Sequence, residues 1–199
     1  MSLRHSYTII APLYDALLET AATGVRAASL GQLPQRGGLN ILINGIGSGL
    51  DLPHLSPSHS YTGLDITAAM LNRAKPRIGG LRLNLVQGDG MALPFASKHF
   101  DHAVLHLILA IVPDARACLR ETARVLKPGG SVLILDKFLK PGETAWIRRT
   151  LNLLSQHIVT RLDVVFEEVL ASVPELKLER DGPVLAGGWF RSIRLVKIE

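Results

Sequence analysis

Residues 39–50, reading LNILINGIGSGL, constrain the fold more than any other stretch of this chain. Ile41-Leu42-Ile43 is an uninterrupted, largely β-branched apolar run, the kind buried on both faces of a parallel sheet. Glycines at 45, 47 and 49 follow at once. Glycine takes positive φ without strain and lets a ligand approach the backbone where a Cβ would intrude. A buried strand that runs into such a loop is how open α/β folds build a nucleotide site at the carboxyl end of their first strand. The dinucleotide spacing G-x-G-x-x-G is not met. Counted from Gly45, the sixth position is Leu50, and the third glycine stands one place earlier. Taken alone, the loop reads equally as a nucleotide cradle or a glycine-rich turn.

The segments around it settle the fold class. Residues 1–36 read as helical, with Ile9, Ile10, Leu13, Leu17 and Leu18 near helical spacing and Pro12 breaking the run. Residues 33–38 (LPQRGG) form a linker by composition. The first strand occupies 39–44, and Pro53 and Pro57 keep any helix after the loop short. Residues 61–66 read as a second strand, and Thr67 caps a helix (AAMLNRAK) that stops before Pro76. A third strand at 81–87 ends in Gly88-Asp89-Gly90, and a fourth covers 100–107. Pro113 and Asp114 open a helix through Leu126, which Lys127-Pro128-Gly129-Gly130 terminates before a fifth strand at 131–135. Residues 143–172 read as helical, with 162–166 open to an extended reading. Segments 176–180 and 190–198 alternate like strands and lie too close together for a crossover helix, which pairs them antiparallel. The prediction is an α/β fold: a doubly wound, mostly parallel, Rossmann-like sheet of seven strands with an antiparallel edge hairpin and helices on both faces.

Composition bounds the function. With 199 residues, 47% of them hydrophobic, the chain suits one compact domain. No apolar run reaches the roughly 18 residues of a membrane span, and no basic stretch followed by an apolar core marks a secretory signal. Cys118 is the only cysteine, which excludes an internal disulfide and fits a reducing cytoplasmic location. The net charge is +5, but basic residues are scattered and aromatics are only 5%, so no nucleic-acid partner is expected.

In a sheet of this kind ligands bind beyond the carboxyl ends of the strands, at the switch point. Asp65, at the end of the second strand, is placed to accept hydrogen bonds from ribose hydroxyls or to cap the following helix. Asp89, at the end of the third, is placed to accept from an adenine amine or to serve as a turn residue. Met70 either flanks the adenine or belongs to the core. His99, His102 and His106 suggest a metal site, but on a strand 102 and 106 lie roughly 13 Å apart, too far for one ion with bonds near 2 Å. No metal is expected. His106, at the carboxyl end of the fourth strand, is a candidate base for an amine or hydroxyl acceptor, or a residue lining the pocket. Asp136 ends the fifth strand on the same rim or pairs with Lys137 or Lys140. Trp146, Ile147 and Leu151 with Arg148 and Arg149 make either a core-facing helix or an interfacial face with weak peripheral membrane contact.

Six stretches in order, IAPLYDALL (from residue 10), GIGSGLDLPHL (45–55), YTGLDITAAMLNRAK (61–75), QGDGMALPF (87–95), FDHAVLHLILAIVPD (100–114) and RVLKPGG (124–130), resemble the class I S-adenosylmethionine (SAM)-dependent methyltransferases. The subgroup is that of the ubiquinone/menaquinone C-methyltransferases and the bacterial phosphatidylethanolamine N-methyltransferases. The resemblance implies SAM as cofactor, with Gly45, Ile46, Gly47 and Gly49 against its methionine part. It puts Asp65 at the ribose, Ile66 at the adenine face, and Asp89, Gly90 and Met91 around the adenine amine, with Met70 and His106 beside the cofactor. Tyr14 falls in the family's N-terminal lid motif, with Tyr7 a weaker candidate. Residues 1–36 become a lid, 39–136 the cofactor core and 137–199 the substrate side. The family usually has an acidic residue two places before the first glycine, and here that place is Ile43. The implied activity is methyl transfer to a small or lipid-like acceptor, such as phosphatidylethanolamine. The alternatives are a quinone precursor, a catalytically silent SAM-binding protein or a nicotinamide-dependent oxidoreductase, the last disfavoured by Leu50. Because a sulfonium methyl is already electrophilic, no Ser-His-Asp or reactive-cysteine arrangement is expected.

Overall fold

A computed structural model describes residues 23–138, 164–185 and 190–199. The expectations at Tyr7, Pro12, Tyr14, Lys140 and 146–151 lie outside the described residues. Helix α1 is seen over 23–30. Then follow β1 (Asn40–Asn44), β2 (Ser60–Asp65), α2 (Ala68–Ala74), β3 (Arg82–Gln87), β4 (Phe100–His106), α3 (Ala115–Val125), β5 (Leu126–Lys137), α4 (Phe166–Ala171), β6 (Leu176–Leu185) and β7 (Phe190–Lys197). The seven strands form one sheet in the order β3-β2-β1-β4-β5-β7-β6. All neighbours are parallel except β7, which pairs antiparallel with both β5 and β6. The chain winds outward from β1 to β3, then returns to lay β4 against the other side of β1. Strand order reverses there, and the crevice beyond β1 and β4 is where such sheets take ligands.

The alternation within β1 explains why helices cover both faces. Ile41 and Ile43 pack with Val104, Leu133, Leu30, Leu52, Tyr61 and Leu71 on one face. Leu42 packs on the other with Phe100, Leu105, Leu119, Val125, Ile134 and Phe166. Each large apolar side chain so buried contributes about 1.5–3 kcal/mol.

One local reading holds and another is corrected. Helix α2 ends at Ala74, before Pro76 as expected, and a separate 3-10 turn over Lys75–Arg77 follows it. Proline is tolerated there because a first-turn N–H needs no intrahelical partner. The Lys127-Pro128-Gly129-Gly130 run does end α3, yet it opens β5 rather than preceding it. It is an irregularity between the pairs Phe100↔Leu126 and His102↔Ser131. Its glycines fit because a Cβ on Gly130 would sit 2.5 Å from the Asp101 carbonyl oxygen. Both helix starts follow the caps expected: Thr67 Oγ1 accepts the Met70 N–H at 3.3 Å, and the Asp114 carboxylate accepts the Arg116 and Ala117 N–H groups at 2.9 and 3.0 Å.

Candidate active site

The glycine loop is held by its neighbours in the sheet. The Gly45 and Ile46 N–H groups both donate to the Leu64 carbonyl at 2.9 Å, which turns the chain off the end of β1. Gly45 (φ 78°) is required by packing as well as by backbone: a Cβ there would come within 2.5 Å of Ile108 Cδ1. Gly47 (φ 56°) differs, since a Cβ there would meet nothing within 4 Å and would stand in open space. The cleft beside this loop is lined by Gly45–Ser48, Asp51, Asp65–Thr67, Met70, Asp89–Met91 and His106–Ile108.

Asp65 ties the loop to the next helix. Its Oδ2 accepts the Gly47 N–H at 3.0 Å, and its Oδ1 accepts the Thr67 N–H and O–H at 2.9 and 3.1 Å. Burial pushes its carboxyl up, opposed by the hydrogen bonds from Thr67 and Gly47. Asp89 accepts the Met91 N–H at 2.8 Å, so it shapes its turn while lining the cleft. Met70 is 6% exposed and stands between the core and the cleft wall. Ile66 is 43% exposed, an apolar side chain standing open at the cleft.

Asn44, next after Ile43, supports the site from within the sheet. It is fully buried, and its Nδ2 donates to the Gly90 carbonyl and to Thr122 Oγ1, each at 3.3 Å. It thereby fixes the Asp89–Met91 turn from below. A Cβ on Gly90 would strike its Oδ1 at 2.5 Å, which accounts for glycine there.

The cleft wall toward β4 carries an arrangement the sequence reading did not foresee. Arg26 Nη1 donates to Asp51 Oδ1 at 2.7 Å, and His106 Nδ1 lies 2.9 Å from the same oxygen. His106 Nε2 lies 3.0 Å from Ser29 Oγ. Burial alone would push the Asp51 carboxyl up, but His106 and Arg26 outweigh it and hold it well below the usual carboxylate range. An ionised carboxylate only accepts, so Nδ1 carries the proton and, on the neutral ring, Nε2 accepts from the serine. A Ser-His-Asp chain therefore exists, contrary to the expectation that there is none. Ser29 is 1% exposed and outside the cleft lining, so the chain ties α1 to the cleft rather than presenting a nucleophile. Neither ring nitrogen of His106 is free to take a proton from an acceptor in this arrangement.

Asp136 is also corrected. It is fully buried rather than on the rim, and it accepts the N–H groups of Ala110 and Lys137 at 3.0 and 2.8 Å. Its role is to anchor the 107–112 loop, whose side chains wall the cleft; burial pushes its carboxyl up to about 6. His102 points elsewhere, with Nδ1 2.8 Å from Ser131 Oγ. Among the described residues no group of three or more His, Cys, Asp or Glu is placed to hold a metal. Cys118 is buried in α3 with its thiol pushed up to about 12 by that burial, which leaves it unreactive.

The residues fit an adenosyl cofactor: an open space over Gly47 that a Cβ would fill, carboxylates at the ends of β2 and β3, and an apolar Ile66 between them. The fold is Rossmann-like with its cleft at the switch point, and residues 42–134 match the family model described as the methyltransferase domain. The chain is a SAM-dependent methyltransferase. It is 29% identical over 187 residues to the phosphatidylethanolamine N-methyltransferase of Cereibacter sphaeroides, covering 92% of this chain and 91% of that one. It is 39% identical over 83 residues to the demethylmenaquinone methyltransferase of Staphylococcus aureus, covering 41% of this chain and 34% of that one. In fold it matches a Haloferax volcanii chain solved with the Trm112 methyltransferase activator, with a TM-score of 0.80 at 17% identity, over 100% of this chain and 98% of that one.

Proposed function

We propose that this chain methylates a lipid-like amine, with phosphatidylethanolamine as the first candidate. The observation that carries this reading is the similarity to the Cereibacter sphaeroides enzyme along 92% of the chain. The cleft supports it chemically. Beyond the polar cofactor residues, its walls at Leu50, Ile108, Ile111, Val112 and Pro113 are apolar. That suits an acceptor carrying hydrocarbon beside its nucleophile.

Bound SAM supplies an electrophilic methyl group on its sulfonium. The residues of this chain bind, orient and exclude water. Gly47 opens the floor, Asp65 and Asp89 hold the nucleoside, and the loop anchored by Asp136 closes the apolar side. Holding two reactants in line is worth effective molarities up to about 10⁵–10⁸ M in intramolecular reactions, so positioning without a covalent nucleophile is sufficient. His106 enters as a wall that fixes Asp51.

The test is incorporation of labelled methyl from SAM into vesicles containing phosphatidylethanolamine, compared with phosphatidylcholine vesicles. Label in monomethylated phosphatidylethanolamine is expected; its absence, with label entering a quinone precursor instead, would replace this acceptor by the second. The similarity to the Staphylococcus aureus enzyme favours that second reading over a shorter stretch. SAM binding without transfer to any acceptor would leave a silent SAM-binding protein.

A further inference from the structure

We infer that Arg26 and Asp51 together receive the zwitterionic α-amino-acid end of the cofactor, Asp51 taking its ammonium and Arg26 its carboxylate. This rests on the SAM reading above and adds to it the residues that do work usually given to another position. The place two before the first glycine is Ile43, which is 1% exposed and packed in the core beside Val104 and Leu133. It offers no charge to a ligand. Asp65 and Asp89 stand at the ends of β2 and β3, on the far side of the loop from β4. The acidic side chain left on the β4 side of the cleft, among the described residues, is Asp51.

Its carboxylate is only half used. Oδ1 holds both Arg26 and His106, whereas Oδ2 has no hydrogen-bond partner among the described residues although Asp51 lines the cleft. The side chain is 5% exposed, so the carboxylate is held in place rather than rotating freely in water. Arg26 is under-satisfied too. Its side chain is 8% exposed, it lines the same cleft, and its Nε is a buried donor without an acceptor. A buried charged group with unused hydrogen-bonding capacity is costly unless a ligand completes it.

The two charges are adjacent and opposite, so the pair is neutral and attracts neither a simple anion nor a simple cation strongly. A zwitterion whose charges sit on one carbon is complementary to it. Ser29 and Asp51 hold the intervening imidazole from both sides, which fixes the distance between helix α1 and the loop. Cofactor binding is thereby linked to the placement of α1.

The experiment is isothermal titration of the full chain with S-adenosylhomocysteine and two analogues, one with the α-ammonium and one with the α-carboxylate replaced by hydrogen. On the wild type each deletion should weaken binding about tenfold or more, as expected for hydrogen bonds to charged groups. In Asp51→Asn the penalty for losing the ammonium should fall below about threefold while the carboxylate penalty persists; Arg26→Gln should show the reverse. Each comparison is made between ligands on one variant, so a general loss of stability cannot imitate it. Equal weakening of all three ligands by Asp51→Asn would overturn the inference in favour of a structural role. Unchanged penalties, with a raised KM for an amine acceptor, would move the ammonium to the acceptor and overturn it as well. Wild-type binding without either penalty would sink the inference alone, whereas no binding of S-adenosylhomocysteine would sink the cofactor reading with it.

Discussion

Asp65→Ala separates cofactor binding from folding more sharply than other single changes at the cleft. The carboxylate offers about four lone-pair sites, and three are taken by Gly47 N–H, Thr67 N–H and Thr67 O–H at 2.9–3.1 Å. Truncation therefore acts twice. It removes the acceptor we propose for the ribose hydroxyls, and it frees Gly47, where the backbone stays at φ 56° beside the open cleft. A hydrogen bond to a charged group is worth about 1.5–3 kcal/mol, and partial exposure of Asp65 puts it at the lower end. Adding a loosened Gly47, at about 0.5–1.5 kcal/mol, gives a rise in the Kd for SAM of about 30–150-fold. The cost to folding is smaller, because water can take the released N–H groups at the open cleft. A loss of about 1 kcal/mol lowers Tm by roughly 2–4 °C in a chain of this size. Titration calorimetry with SAM and scanning calorimetry without it measure the two effects. A Kd within twofold of wild type would refute the placement of the ribose at Asp65.

Three further changes probe other parts of the account. Gly47→Ala puts an L-residue at positive φ, at about 1–2 kcal/mol, and a methyl group into the cleft; SAM affinity should fall more than tenfold, and an unchanged Kd would contradict the open floor assigned to Gly47. His106→Gln should keep turnover within about tenfold of wild type, because the ring is already held on both sides; a loss of about 10²–10⁴-fold, typical of a positioned base, would restore the base role. Asp136 has its carboxyl raised from 3.8 to about 6, so the folded state binds the proton more tightly, and its contribution, full below the unfolded value, is lost as pH rises from about 4 to about 6. Urea unfolding at pH 4 and pH 7 should show wild type losing up to about 3 kcal/mol relative to Asp136→Asn, and a pH-independent difference would contradict this.

The sheet was legible because each strand is specified by its own apolar pattern, and the glycine loop, Asp65 and Asp89 because each follows directly from the strand that presents it. The edge hairpin was legible from the short spacing between its strands. What escaped depends on partners remote in the chain. The Lys127-Pro128-Gly129-Gly130 run looks like a helix stop, and only the close Asp101 carbonyl explains why it also opens a strand. Asn44 looks like one polar residue at a strand end, and its work under Gly90 appears only when α3 brings Thr122 beside it. Arg26, Ser29, Asp51 and His106 are joined across separations of 25, 77 and 55 residues, with no periodicity linking them. Such a chain of hydrogen bonds becomes visible only when α1 is docked.

The most direct measurement of the central claim is a parallel titration of the wild-type chain with SAM, S-adenosylhomocysteine and NAD, followed by thermal unfolding. Saturable binding of SAM and S-adenosylhomocysteine is expected, with stabilisation of roughly 2.7 kcal/mol at about 100 times Kd, and no comparable effect of NAD. No shift in unfolding with SAM or S-adenosylhomocysteine at millimolar concentration, or a larger one with NAD, would contradict the account.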